Sequence, residues 1–170
     1  VAWGDYDNDG DLDILLTGAD SNFNRVAKIY RNDSGVLVDS GTADDALTGV
    51  DYSSVAWGDY DNDGDLDLLL TGEDSSFNRL TKLYRNNGGS LVDSGTADDA
   101  LTGVYASSVA WGDYDNDGDL DILLTGATGS PVTRVYRNEE CADLAVVKAV
   151  APPSAAPGAA ITYTLRFTNT

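Results

Sequence analysis

Histidine is absent from the 170 residues, cysteine occurs once, and only 10 Lys and Arg stand against 29 Asp and Glu. Without histidine, Ser-His-Asp and Cys-His catalysis, imidazole acid/base chemistry and the usual zinc sites are all excluded. Asp, Glu, Lys and Tyr remain as possible catalysts. The lone Cys141 permits no intrachain disulfide framework and leaves the redox compartment undecided. A formal net charge of −19 argues against nucleic acid as a partner, because phosphate binding needs clustered Lys and Arg. No run is long and apolar enough to span a membrane, and helical spacing of apolar residues is nowhere sustained. The chain opens at Val1 inside a repeated motif. It therefore reads as a piece of something longer, in which a missing signal peptide carries no information.

What remains is a foldable acidic chain. A hydrophobic content of 42% with three Trp and nine Tyr favours a packed core over disorder. VAWGDYDNDGDLD occurs at Val1, Val55 and Val109, and a fixed period of this size means a repeat architecture. The first two copies match down to the connecting DSGTADDALTGV at Asp39 and Asp93, whereas the third has a shorter loop at 127–131 and stops at Arg137-Asn138. Each repeat offers four strand candidates. In the second copy these are 55–57, the almost continuous apolar run 66–71, 80–85, and Leu91-Val92. The run 66–71 suits a strand buried on both faces.

Four short strands per repeat is the pattern of propeller blades. The expected fold is all-β: a partial β-propeller of three blades of about four antiparallel strands, the last incomplete, followed by a truncated β-sandwich segment. The boundaries fall at 1–54, 55–108, 109–140 and 141–170. A ring needs about 4 to 8 blades, so the remaining propeller blades of the full-length chain count among the expected partners. The third repeat lacks a counterpart of Leu91-Val92. That is how a last blade looks when its outer strand comes from the other end of the ring, an expectation that a fourth strand drawn from 141 onward would overturn.

The chemistry sits in DYDNDGDLD, which begins at Asp5 and recurs unchanged at Asp59 and Asp113. Carboxylates at loop positions 1, 3 and 5 lie on alternate residues of a curled segment and can converge, while Gly at position 6 permits the sharp turn. Position 7 offers a backbone carbonyl and position 9 closes the shell. This reaches the roughly 6 to 8 hard oxygens that calcium takes; magnesium fits less well, and all-oxygen ligands disfavour zinc and copper. An EF-hand or dockerin-like loop would need an acid at position 12, where Leu16, Leu70 and Leu124 stand instead. A plain polar turn without an ion is the bland alternative, but crowding four carboxylates without a cation is costly.

The loop, the following ILLTG or LLLTG, and the strand endings KIYRN, KLYRN and RVYRN resemble the FG-GAP-like family, also called VCBS repeats, related to the propeller of integrin α subunits. The resemblance covers nearly all of 1–138. It implies about one calcium ion per loop, three in all. The implied ligands are Asp5, Asp7, Asp9, Asp11 through its carbonyl, and Asp13. The same holds for Asp59, Asp61, Asp63, Asp65 and Asp67, and for Asp113, Asp115, Asp117, Asp119 and Asp121. Literal FG and GAP words are missing: Gly18-Ala19-Asp20, Gly72-Glu73-Asp74 and Gly126-Ala127-Thr128 stand where GAP would, so integrin-like ligand recognition does not carry over.

Other residues are weighed by position. Trp3, Trp57 and Trp111, recurring per blade, are expected to pack between blades. Tyr6, Tyr60 and Tyr114, inside polar loops, are expected to be exposed and to offer partner or sugar contacts. Arg31, Arg85 and Arg137 are expected to pair with acids at the surface or between blades, and Cys141 to be an incidental junction residue. Beyond it, 144–150 and 161–168 read as strands around a proline-rich turn at 151–158, the second with clean alternation. ADLAVVKAV followed by APGAAITYTLRFTNT resembles the opening of the immunoglobulin-like conserved-repeat domains of bacterial surface proteins, domain of unknown function 11. This implies a long, modular, exported protein at a bacterial surface.

The expected function is a calcium-clamped, non-catalytic extracellular module for adhesion to an unidentified protein or glycan. Alternatives are a part of a carbohydrate-active enzyme, such as a polysaccharide lyase-like propeller, and a calcium-rigidified spacer. Active sites normally break repeat symmetry, whereas these polar loops are the same in every copy.

Overall fold

The computed structural model describes residues 1–41, 46–95 and 100–139, together with the backbone of strands at 144–151 and 162–169. Cys141 and the expected turn at 151–158, apart from Ala151, lie outside the described residues, as does the side-chain alternation expected of the last strand. The chain divides into two compact units, Val1–Asn138 and Glu139–Thr170. All the described regular elements are strands.

In the first unit each repeat folds as one antiparallel meander. The first sheet runs β1 (Ala2–Gly4), β2 (Asp13–Ala19), β3 (Arg25–Asp33) and β4 (Val36–Asp39). The second runs β5 (Asp51–Gly58), β6 (Asp67–Glu73), β7 (Arg79–Asn86) and β8 (Leu91–Asp93). The third has three strands, β9 (Tyr105–Gly112), β10 (Asp121–Ala127) and β11 (Pro131–Tyr136). These are partial propeller-like blades, and the sheets do not close on one another. In the second unit β12 (Leu144–Ala151) pairs antiparallel with β13 (Thr162–Asn169) as a separate two-stranded sheet. The third sheet consists of β9, β10 and β11, and β12 and β13 form a sheet of their own.

The apolar run of the middle repeat does what its composition demands. Six of the seven residues of β6 are buried, because a central strand between two other blades has no solvent face. Leu68 and Leu70 point into a cluster with Tyr6, Leu15 and Ile29 of the first blade. Leu69, one pleat over, points into a second cluster with Ile122 and Leu124 of the third. Alternation thus serves two cores rather than one core and water.

The inner strands are longer than the apolar segment predicts. β5 begins at Asp51, four residues before Val55, and its register with β6 shifts between Asp51 and Ser54, where Tyr52 takes a left-handed φ of 46°. A bulge of this kind lets a polar stretch continue a strand that reads as loop. The third blade repeats it at Ala106, with φ 47°.

Glycine and tryptophan set the distance between blades. A Cβ on Gly4 would lie 2.6 Å from Trp57 Cδ1, and one on Gly58 would lie 2.6 Å from Trp111 Cδ1. The indoles of the second and third blades therefore rest directly on the backbone of the preceding one, and Trp57 and Trp111 pack between blades as expected, whereas Trp3 is exposed. The tyrosines of the loops are a correction: Tyr6 is 4% exposed and Tyr60 8%. Trp57 stacks on Tyr6 with ring centroids 6.3 Å apart, and Trp111 lies 5.8 Å from Tyr60, so each loop tyrosine is covered by the next blade. Only Tyr114, on the third blade, is exposed.

Candidate metal centre

Each Asp-rich loop joins the inner strand of a blade to the second strand. Gly4, Gly58 and Gly112 stand opposite Asp13, Asp67 and Asp121 in the ladder, so both ends of the loop are pinned by strand pairing. Between them the chain curls through Asn8, Asn62 and Asn116 at φ 58 to 62° and Gly10, Gly64 and Gly118 at φ 95 to 97°. Asn and Gly are the residues that enter the left-handed region at least cost. The first carboxylate locks the curl: Asp5 accepts from the amides of Asp9 and Gly10 at 3.1 and 3.0 Å, and Asp59 and Asp113 do the same in their loops.

The curl draws three of the five acids together. One oxygen each of Asp5, Asp7 and Asp13 lie within 4.8 Å of one another, as do those of Asp59, Asp61 and Asp67, and of Asp113, Asp115 and Asp121. The fifth-position acids stand beside these groups: the Asp9 carboxylate turns back onto the Asp11 amide at 2.9 Å, as Asp63 and Asp117 turn onto Asp65 and Asp119. The seventh-position side chains face away. Asp11 accepts from Ser34 N at 2.9 Å and Asp65 from Gly88 N at 2.7 Å, which leaves the backbone as their contribution to the loop.

Burial and like charge act on these acids together. Desolvation, followed by the neighbouring Asp9, raises the pKa of Asp7, and burial also raises Asp13, Asp61 and Asp115. Asp67 is fully buried and is pushed up to about 6, chiefly by desolvation, although the amides of Asn86 and Tyr60 donate to it. Asp7 Oδ1 and Asp115 Oδ1 are buried and accept no hydrogen bond. A buried carboxylate oxygen without a donor is costly. A hard cation seated among the three carboxylates would satisfy it, and the all-oxygen donor set fits calcium.

Protons compete for the same oxygens, which gives a test by pH. Asp67 is raised from its ordinary 3.8, so in metal-free protein the folded state holds more protons than the unfolded one between about 4 and 6. This stabilisation is fully present below about 4 and is lost as the pH rises through about 6. Metal-free protein is therefore expected to melt several degrees higher at pH 5 than at pH 7. Metal-loaded protein is expected to show the reverse order, since a ligand must be deprotonated. Melting curves at the two pH values, with chelator and with calcium, check both signs.

Sequence reasoning missed how the loops are tied to each other. Asn86, which ends the KLYRN strand, is buried; its amide N–H donates to Asp67 Oδ1 at 2.8 Å, and its Nδ2 donates to the Tyr6 carbonyl of the preceding loop at 2.6 Å. Tyr6 N–H in turn donates to Asp13 at 3.0 Å. Asn138 repeats the arrangement between Asp121 and Tyr60, at 2.8 Å on both sides. A second clasp runs alongside: Asn8 Nδ2 donates to Asp65 at 2.6 Å and Asn62 Nδ2 to Asp119 at 2.8 Å. One hydrogen-bonded path thus joins Asp13, Asp67 and Asp121. The available signal was the Asn that recurs after Tyr-Arg in every repeat.

In the second and third blades the arginine beside that Asn faces its own loop, and in the first it pairs with an acid of its own strand. Arg85 Nε lies 3.8 Å from Asp61, Arg137 pairs with Asp115 and Asp117, and Arg31 pairs with Asp33 at 2.8 Å. These pairs lie within blades. An ion pair between blades comes from Arg25, which was not singled out in the sequence; it contacts Asp51 and Glu73 of the second blade, both at 3.0 Å.

A sequence model of the FG-GAP-like repeat matches residues 5–70 and again 69–124. The chain belongs to the FG-GAP-like repeat family. No curated protein and no solved structure matches it. The two matched stretches contain all three Asp-rich loops, so the three-carboxylate groups lie within the family's own repeat. The FG-GAP-like match ends before β12 and β13, leaving the second unit without a family finding.

Proposed function

We propose that each of the three loops binds one calcium ion and that this FG-GAP-like chain is a calcium-stabilised, non-catalytic interaction module of an extracellular protein. The observation that carries the reading is the buried, undonated carboxylate oxygen of Asp7, with its counterpart in Asp115, inside a group of three converging carboxylates. Asp5, Asp7 and Asp13 and their equivalents would hold the ion, with Asp9 and the Asp11 carbonyl within the same curl. An ion there neutralises the loop and fixes the peptide between Asp5 and Asp7, on which the next blade's Asn rests. Calcium then stabilises contacts between blades as well as the loop itself, because the unfolded chain does not hold the carboxylates together.

Repetition of one site in every blade supports a structural over a catalytic role. A candidate surface for partners lies at the opposite ends of the strands, where Phe23 and Phe77 sit at the tips of the β2–β3 and β6–β7 hairpins and are exposed. Both hold a left-handed φ of 63°, uncommon for a bulky residue, in turns anchored by Asp20 and Asp74. Exposed aromatic side chains held in place suit a protein or glycan partner. The resemblance of the tail to bacterial surface repeats supports an exported, modular parent protein.

A thermal melt in calcium and in excess chelator tests the reading. Calcium is expected to raise the melting temperature by more than 10 °C, with equimolar magnesium recovering little of it. Superimposed melts would remove the structural role of the metal.

A further inference from the structure

Asn87-Gly88 is the one Asn-Gly pair in the 170 residues. It lies in the short turn between β7 and β8, outside the strand ladder, with both residues exposed. An Asn followed by Gly carries a reaction within itself. The amide nitrogen of the glycine attacks the side-chain carbonyl carbon of the asparagine; the N–Cγ bond forms, the Cγ–Nδ2 bond breaks, and the side-chain nitrogen leaves as ammonia with the proton of the attacking amide. Water then opens the resulting succinimide at either carbonyl, leaving aspartate or isoaspartate. Glycine favours the step because it has no Cβ to shield its nitrogen or to restrict the backbone rotation that closes the ring. One contact stands against it here: Gly88 N–H donates to Asp65 Oδ2 at 2.7 Å, and a carboxylate holding that proton disfavours its loss. The other oxygen of Asp65 accepts from Asn8 Nδ2 of the first blade at 2.6 Å, so the carboxylate is braced from both sides.

Asp65 stands at position 7 of the second Asp-rich loop, where the backbone faces the ion and the side chain is left for Gly88. We infer that Asn87-Gly88 is a self-modification site guarded by Asp65, closed while the second loop holds its ion and opened when the loop empties. Its trigger rests on the calcium reading; its guard rests on the Asp65 contact alone. The first repeat already has the arrangement that the aspartate product would reach: Asp33 stands where Asn87 does, Ser34 N–H donates to Asp11 at 2.9 Å, and Arg31 pairs with Asp33 at 2.8 Å. Aspartate at 87 would offer Arg85 the same kind of partner in competition with Asp61, from which Arg85 Nε lies 3.8 Å. Isoaspartate lengthens the main chain by one carbon and shifts the turn in which a Cβ on Gly89 would stand 3.3 Å from Asp7 Cβ. Either product alters the surroundings of the first two loops, and neither reverts to asparagine. Each interval without calcium therefore leaves a permanent mark on the chain.

Peptide mapping by mass spectrometry tests this on the whole chain, incubated at mildly alkaline pH in calcium and in excess chelator. A hydrogen bond to a charged group changes the population of the broken state by roughly ten- to a hundredfold, so conversion at Asn87 is expected to run at least about tenfold faster in chelator. The other asparagines are expected to keep their rates, which separates release of this turn from unfolding of the chain. Asp65→Ala is expected to convert at the fast rate even in calcium, with its β spectrum retained. Asp11→Ala, which removes the equivalent contact to Ser34 in the first repeat, is expected to leave Asn87 slow. Calcium that binds by calorimetry and leaves the wild-type rate unchanged overturns the inference, as does an Asp65→Ala chain that converts as slowly as wild type. A chain that binds no calcium overturns the trigger together with the reading beneath it, and Asp65→Ala then still decides the guard.

Discussion

Alanine at Gly58 is expected to destabilise the protein by about 3 kcal/mol, at the upper end of what overpacking by one methyl group costs, and to lower its melting temperature by about 10 °C. The new Cβ would stand 2.6 Å from Trp111 Cδ1 and 2.8 Å from its Cγ. The indole cannot simply turn aside, because its Nε1 donates to the Ala56 carbonyl and its ring faces Tyr60. Relief has to come from moving the third blade away from the second. Gly112→Ala makes the same chemical change at the same place in the next repeat, where the space is open, and is expected to leave the melting temperature of the isolated chain within about 1 °C. Urea or thermal unfolding of the two variants side by side isolates the contact between blades from any general intolerance of alanine.

Asn86→Ala is expected to cost about 3 kcal/mol and to weaken calcium binding at two loops rather than one. Truncation leaves the Tyr6 carbonyl without its 2.6 Å donor and the Leu66 carbonyl without its 3.1 Å donor, and each buried acceptor left unmade costs about 1 to 3 kcal/mol. The Tyr6 peptide lies between Asp5 and Asp7, so the first loop loses an anchor; Leu66 precedes Asp67, so the second does also. Groups that orient metal ligands typically change affinity by about 10- to 100-fold when removed, and a loss in that range is expected at the first two sites with the third unchanged. Asn32→Ala is the internal comparison. The Asn32 side chain donates to Leu12 O at 3.1 Å, and its hydrogen bonds among the described residues stay within its own blade, so about 1 kcal/mol is expected, with one site affected. Calcium titrations of both variants, read alongside their unfolding curves, separate a positioning role from loss of stability alone.

These two variants also mark where the sequence is readable. The strand pattern, the curl of the loop and the convergence of its acids all depend on residues a few places apart: the alternate Asp residues, the Gly at position 6 and the apolar run from Leu66. Tyr6 and Tyr60 read as exposed because their neighbours in sequence are Asp, Asn and Gly. Their burial depends on Trp57 and Trp111, which lie one repeat further along. The same holds for Asn86, whose partner Tyr6 is 80 residues away, and for the bulge at Tyr52, which hides half a strand within polar residues. The exposed Phe23 and Phe77 were legible only as a repeated letter in a turn. What local chemistry determines was visible; what one blade does to the next required the fold.

A calorimetric titration of the whole chain with calcium, against a magnesium control, tests the three-site reading most directly. Binding is expected to saturate near one ion for each of the three carboxylate groups, and Asp7→Asn is expected to reduce the count by one while magnesium gives little heat. A folded chain, with its β spectrum intact, that takes up no calcium would mean that the converging carboxylates are only a polar turn and that the blades are held together without metal.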